Sequence, residues 1–247
     1  MQLIQLTDSH LFEDPAARLG GVDTQRTLSA VIDALSRTSP PPDIVLATGD
    51  LAQLGEAGAY ARMRAALQAL AMPVYCLPGN HDHRETFAAA MPSGGVHVTR
   101  SLCRDGWQLV FLDSTIPGED DGCLSEAELA ALDEALGAHP SLFALVCLHH
   151  HPVVVGGAWR DEIALQNPDD LFAVLDRHPQ VRGLLFGHIH QAFDGRRGDV
   201  TLMGSPSTCF QFLYDGKGLG TADDPPGYRS LTLAPDEIGR ASCRERV

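Results

Sequence analysis

The sequence predicts one layered α/β domain, with strands at the centre and helices outside, from three observations. Apolar runs of strand length alternate with helix-like stretches as far as His190. Most of the strand-like runs end in Asp, Asn or His. The chain has 247 residues, 44% hydrophobic and 20% charged, which is enough to bury the core of one domain or at most two.

The strand-like runs are Leu3–His10, Ile44–Asp50, Pro73–Asp82, Leu109–Ser114, Leu142–His151 and Gly183–His190. Thr24–Arg37 carries apolar residues at helical spacing and stops before Pro40–Pro42, and the Ala/Leu-rich Glu56–Ala71 stops before Pro73. Ser125–Leu136 opens as a capping box, with Ser125 as N-cap and Glu128 three positions later. Asn167–His178 is a similar segment and ends at Pro179. Beyond His190 the helical period is lost, and Val200–Pro206 and Tyr228–Leu233 read as strands. The domain is expected to span residues 1–236 and to be cut short at its C-terminal end. Glu237–Val247 (EIGRASCRERV) back-translates into codons resembling a sequencing-adapter read in frame, so a non-native tail is expected at 237–247. Resequencing the locus decides this: genuine genomic codons there would end the idea.

The formal net charge of -14 argues against a nucleic-acid polymer or an anionic membrane surface as partner, since both need a basic face. No apolar run reaches the roughly eighteen residues of a membrane helix. MQLIQLTDSH lacks the basic stretch and long apolar segment of an export signal. The six cysteines form no CxxC pair and are expected to be reduced thiols in a cytoplasmic protein.

The chemistry lies at the strand ends. Asp8-Ser9-His10 alone reads as a turn or a helix cap as readily as a metal pair, and Gly49-Asp50 is an ordinary turn dipeptide. Gly79-Asn80-His81-Asp82 could be a loop, and His149-His150-His151 a solvated one. Gly187-His188-Ile189-His190 suits one site or two satisfied histidines. Taken together, DxH, GD, GNHD, a His after an apolar strand and GHxH follow in order, each at the end of a strand-like run. Their nitrogen and oxygen donors fit two borderline divalent ions, Mn, Fe or Zn, better than thiolate-bound zinc or all-oxygen calcium.

This set resembles the calcineurin-like metallophosphoesterase superfamily over residues 3 to about 235. The resemblance implies a four-layer αββα sandwich of two facing mixed sheets flanked by helices. It implies that Asp8, His10, Asp50 and His190 hold one ion, and that Asp50, Asn80, His149 and His188 hold the other. Relatives often read HHPP where this chain reads HHHP. The first histidine, His149, aligns as ligand with His150 as the alternative, and His151 falls where those relatives have proline. Asn80, His81 and His190 are the expected contacts to the substrate phosphate, with His81 as general acid tuned by Asp8 or Asp82. Two ions roughly 3.5–4 Å apart, sharing a hydroxide that attacks in line, would leave about one net positive charge to meet a diester.

Thr48–Gln53, Leu184–Gln191, Gly204–Phe212, Pro226–Arg229 and the Trp159 loop (156–167) resemble the bacterial class III 3′,5′-cyclic nucleotide phosphodiesterases. That implies hydrolysis of 3′,5′-cyclic AMP to 5′-AMP. Pro206–Cys209 reads equally as a strand end packing Cys209 into the core, and His97 as an ordinary surface or core residue. Alternatives are a glycerophosphodiesterase or broad-specificity phosphodiesterase of the same superfamily, or a protein-binding scaffold without catalysis. The resemblance also allows a homodimer. No GxxxxGK[ST] loop, GxSxG elbow or dinucleotide fingerprint supports another chemistry.

Overall fold

The computed structural model describes residues 1–156, 161–213, 220–235 and 238–244; Trp159 lies outside the described residues. Two six-stranded mixed sheets form the centre. In the first, β1 (Gln2–Leu6), β2 (Ile44–Thr48), β3 (Val74–Leu77) and β4 (Val96–His97) run parallel to their neighbours. β11 (Tyr228–Leu233) pairs antiparallel with β1, and β12 (Ile238–Arg244) pairs antiparallel with β11. In the second, β6 (Trp107–Phe111), β7 (Phe143–Leu148), β8 (Val181–Phe186) and β10 (Val200–Gly204) form the parallel centre. β5 (Ser101–Arg104) and β9 (Phe193–Arg197) close its edges antiparallel.

Alternation along the strands builds the layers. Leu3, Ile44 and Leu46 of the first sheet meet Trp107, Leu109, Leu145 and Met203 of the second in one central core. The opposite face of the first sheet (Ile4, Leu6, Val45) packs on α1 (Thr24–Ser36), α2 (Ala57–Gln68) and α3 (Arg84–Ala90). The outer face of the second (Val110, Val146, Leu184) packs on α4 (Glu126–Ala138) and α5 (Pro168–Leu175). The result is the expected helix–sheet–sheet–helix sandwich.

The strands stop earlier than their apolar runs suggest. β1 ends at Leu6, β2 at Thr48 and β8 at Phe186, which leaves each polar cluster in the turn beyond. β4, β5, β9 and α3 are too short or too exposed to show a sequence period. Ser125 caps α4 as expected, accepting from the Glu128 N–H at 3.2 Å. The other half of the capping box does not form. The Glu128 carboxylate instead meets Arg100 at 2.7 Å and accepts from the Asp113 N–H at 3.3 Å. Residues 238–244, left out of the fold on sequence grounds, add β12 as an edge strand by backbone pairing.

Arg229 ties the two sheets together near the site. Fully buried on β11, its guanidinium donates to the Gly204 carbonyl (2.7 Å), the Phe193 carbonyl (3.0 Å) and Asp194 (2.8 Å). Arg229→Met removes these bonds between the sheets and the ion pair to Asp194. We expect a loss of roughly 2–4 kcal/mol in urea unfolding; an unchanged midpoint would contradict it.

Candidate metal centre

The backbone turns sharply at the site. Asp8, His10, Asp50, His188 and His190 all hold left-handed φ, between 48° and 68°. Among the described non-glycine residues only Ala71 and Asp105 share that conformation. It costs each residue about 1–2 kcal/mol, so the surrounding packing must hold these turns. Ser207 donates its hydroxyl to the Asp8 carbonyl (2.7 Å), and Ser9 and Thr208 share a hydroxyl bond of 2.8 Å. Pro206–Cys209 thus braces the first turn, while Cys209 itself packs into the core.

The expected residues converge. Asp8, His10 and His190 form one compact group, and Asp8, Asp50 and His149 another. His10 Nε2 and His190 Nε2 are 3.0 Å apart, and His190 Nε2 lies 3.5 Å from Asp8 Oδ1. On the other side His149 Nε2 lies 3.1 Å from Asn80 Oδ1 and 3.2 Å from His188 Nδ1. Asp50 stands between them. Its Oδ1 accepts from the His81 N–H at 2.9 Å, while Oδ2 lies 3.7 Å from His10 Nε2 and 3.3 Å from His149 Nε2.

The outer ring nitrogens fix which atoms face inward. His149 Nδ1 donates to the Thr48 carbonyl and His190 Nδ1 to the Phe210 carbonyl, both at 2.8 Å. A carbonyl can only accept, so Nδ1 carries a proton in each ring and Nε2 faces the centre, as a lone pair whenever the ring is neutral. Lone pairs and two buried carboxylates pointing at one another are unfavourable unless a cation sits among them. The donor set therefore fits a pair of divalent ions with nitrogen and oxygen ligands.

Electrostatics show what occupies that role without metal. Burial would raise Asp50, but His149 holds it well below the usual carboxylate range. Burial likewise opposes the ionisation of Asp8, and His190 overrides it, leaving Asp8 lowered. Burial alone would drive His149 down, yet Asp50 and then Asp8 draw it up to about 9. Burial pushes His10 to about 3 against the pull of Asp50. A proton on His149 thus supplies part of the positive charge that the two carboxylates call for.

The neighbouring histidines divide cleanly. His150 groups with His149 and His188 but with neither aspartate, and its Nδ1 is engaged by Ser114 Oγ at 2.8 Å. His151 is buried and stacks on His188 with centroids 5.7 Å apart. His149 is the imidazole of this run that reaches the carboxylates. His97 lies away from the site, stacked on Tyr75.

His81 stands at the rim, edge-on to His10 with ring centroids 5.0 Å apart. Among the described residues no hydrogen bond or ion pair joins the His81 ring to Asp8 or Asp82, the two residues expected to tune it. Asp82 is instead a loop clamp. It accepts from the N–H groups of Gly79 (2.9 Å), Leu51 (3.2 Å) and Ala52 (3.1 Å) and from Tyr60 (3.0 Å). Burial, followed by the charge of Asp50, raises Asp82 to about 6. The His81 ring is held by Gln53, whose carbonyl lies 3.1 Å and whose amide lies 3.0 Å from Nδ1. The carbonyl accepts when Nδ1 is protonated and the amide donates when it is not, so both contacts hold the ring by its Nδ1 edge and leave Nε2 on the other edge. Sequence reasoning missed Gln53 and Tyr60; a residue within Thr48–Gln53 carried no chemical signal of its own.

A family model for calcineurin-like phosphoesterases matches residues 1–192. The chain belongs to that family. It is 43% identical over 234 residues to the 3′,5′-cyclic adenosine monophosphate phosphodiesterase CpdA of Pseudomonas aeruginosa, covering 95% of this chain and 86% of that protein. It is 38% identical to a 3′,5′-cyclic-nucleotide phosphodiesterase of Nostoc sp., covering 96% and 89%. A dimetal phosphatase from Danio rerio superposes with a TM-score of 0.69 at 14% identity, covering 94% of this chain and 92% of that one, a likeness of fold alone. The chain is thus a metallophosphoesterase, and its family implies two divalent ions. Among the described residues no helix is long and apolar enough to cross a membrane.

Neutral His149 is the form that can ligate, and the metal-free site keeps its proton up to about pH 9. Metal binding near neutrality must therefore expel that proton, and affinity should fall about tenfold per pH unit below this value. Calorimetric titration with Mn²⁺ in buffers of different ionisation enthalpy should show about one proton released at pH 7. Release of none would contradict the assignment.

Proposed function

We propose that the chain hydrolyses 3′,5′-cyclic AMP to 5′-AMP in the cytoplasm, using two bound divalent ions, Mn or Fe in preference to Zn. One observation carries the two-ion reading: Asp50 Oδ2 faces His10 Nε2 and His149 Nε2 at once. Asp8, His10, Asp50 and His190 would hold one ion; Asp50, Asn80, His149 and His188 the other. The substrate is supported by the names of relatives that span nearly the whole chain.

When bound, the ions supply Lewis acidity that activates water and offsets charge on the phosphoryl oxygens. The protein's own groups do the rest. Asn80, His81 and His190 would border the phosphate, and Gln53 holds the His81 ring by its Nδ1 edge, which leaves Nε2 to serve the leaving oxygen. An alkoxide is a poor leaving group, and a proton given from Nε2 by the imidazolium form of His81 would lower the barrier to its departure, leaving the neutral ring. Every expected ligand and His81 are present, which disfavours a scaffold without catalysis.

The deciding experiment compares cyclic AMP with 2′,3′-cyclic and glycerol diesters on chelated protein resupplied with Mn²⁺. Preference for the glycerol diesters would favour a glycerophosphodiesterase. Asp50→Ala should lose both metals and nearly all turnover; near-normal turnover would refute the shared ligand. His81→Ala should retain metal while losing roughly 10²–10⁴-fold in rate on alkyl diesters, and much less on nitrophenyl esters. Equal losses on both would remove the general-acid role.

A further inference from the structure

The two flanks of the metal centre are built differently. On the His190 side, Phe210 and Phe212 pack on the imidazole with centroids at 5.0 and 4.2 Å. On the Asn80–His81 side lies an open cleft of about 540 Å³, within the size range of small-molecule sites. Its walls include Leu54 and the Ile116–Pro117 turn. Leu54 is 65% exposed, an unusual position for a large apolar side chain directly after the residue that holds His81.

We propose that this cleft is the subsite for the nucleoside of the substrate, with Leu54 and Ile116–Pro117 as its apolar walls. The proposal rests on the cyclic-nucleotide reading above and deepens it. In the reaction, water adds its oxygen to phosphorus and the P–O3′ bond breaks. The electron pair of that bond stays on O3′, which takes the proton from His81 Nε2. O3′ belongs to the ribose, so the ribose must lie beside His81, and the base attached to it must occupy whatever space adjoins that residue. Phe210 and Phe212 occupy the place beside His190, whereas the cleft adjoins both Asn80 and His81. Apolar walls recognise the faces of a base rather than its hydrogen-bonding edge, so adenine and guanine should be accepted alike.

The test compares Leu54→Asp and Ile116→Ala with the wild type on cyclic AMP and on methyl p-nitrophenyl phosphate, a diester too small to fill the cleft. Leu54 is exposed, so its substitution should not disturb folding, and Ile116→Ala probes the opposite wall independently. For each variant kcat/KM on cyclic AMP should fall at least about tenfold relative to that on the small diester, mainly through KM. Cyclic GMP should follow cyclic AMP in both variants. Parallel falls on the two diesters, or none on cyclic AMP, would overturn the subsite. A wild type that ignores cyclic AMP while cleaving the small diester would instead overturn the substrate reading itself.

Discussion

The structure depends on one buried carboxylate. Asp50 gives one oxygen to the His81 N–H and turns the other toward imidazoles of both halves of the centre. A buried charge of this kind needs compensation from every direction, and much of the local architecture supplies it. Gly79 permits the close approach: a Cβ there would stand 2.2 Å from Asp50 Oδ1. Gly49, at φ +94°, similarly makes room for the His149 ring, whose Nδ1 would lie 2.3 Å from an added Cβ. Asp82 then pins the Gly79 and Leu51–Ala52 backbones together, which ties to each other the two loops that contact Asp50.

That arrangement is held under strain. Most of the inward-facing ligands sit in left-handed conformations that favour glycine, and they remain there because neighbours over-determine them. The Thr48 and Phe210 carbonyls orient His149 and His190, and Ser207 and Thr208 anchor the Asp8 turn. The segment from Gly204 to Phe212 therefore acts on one ligand through its backbone and on another through its side chains. Stability given up at the turns is recovered in the buried parallel strands beneath them, where β2 is buried along its whole length.

The flanks of the centre divide labour. Aromatic rings pack against the His190 side. The His81 side stays open, and the residue placed to deliver a proton stands at the opening. A phosphodiester has one bond to break and one side from which its leaving oxygen departs, and the asymmetry of the protein matches that of the reaction.

The sequence by itself determined the fold class and the identity of the converging side chains. Alternating apolar runs dictate sheets flanked by helices, and Asp8, His10, Asp50, Asn80, His149, His188 and His190 stand just past strands whose ends share one edge of the sandwich. Tertiary structure alone decided what depends on distance between remote segments. It separated His149 from His150 by their reach to Asp8 and Asp50. It made Asp82 a clamp instead of a partner for His81, gave that role to Gln53, and took Glu128 away from its expected cap. The physical reason is common to these cases. Residue type and spacing limit what a side chain can bond, but a carbonyl or a carboxylate finds its partner only when folding brings the two within about 3 Å.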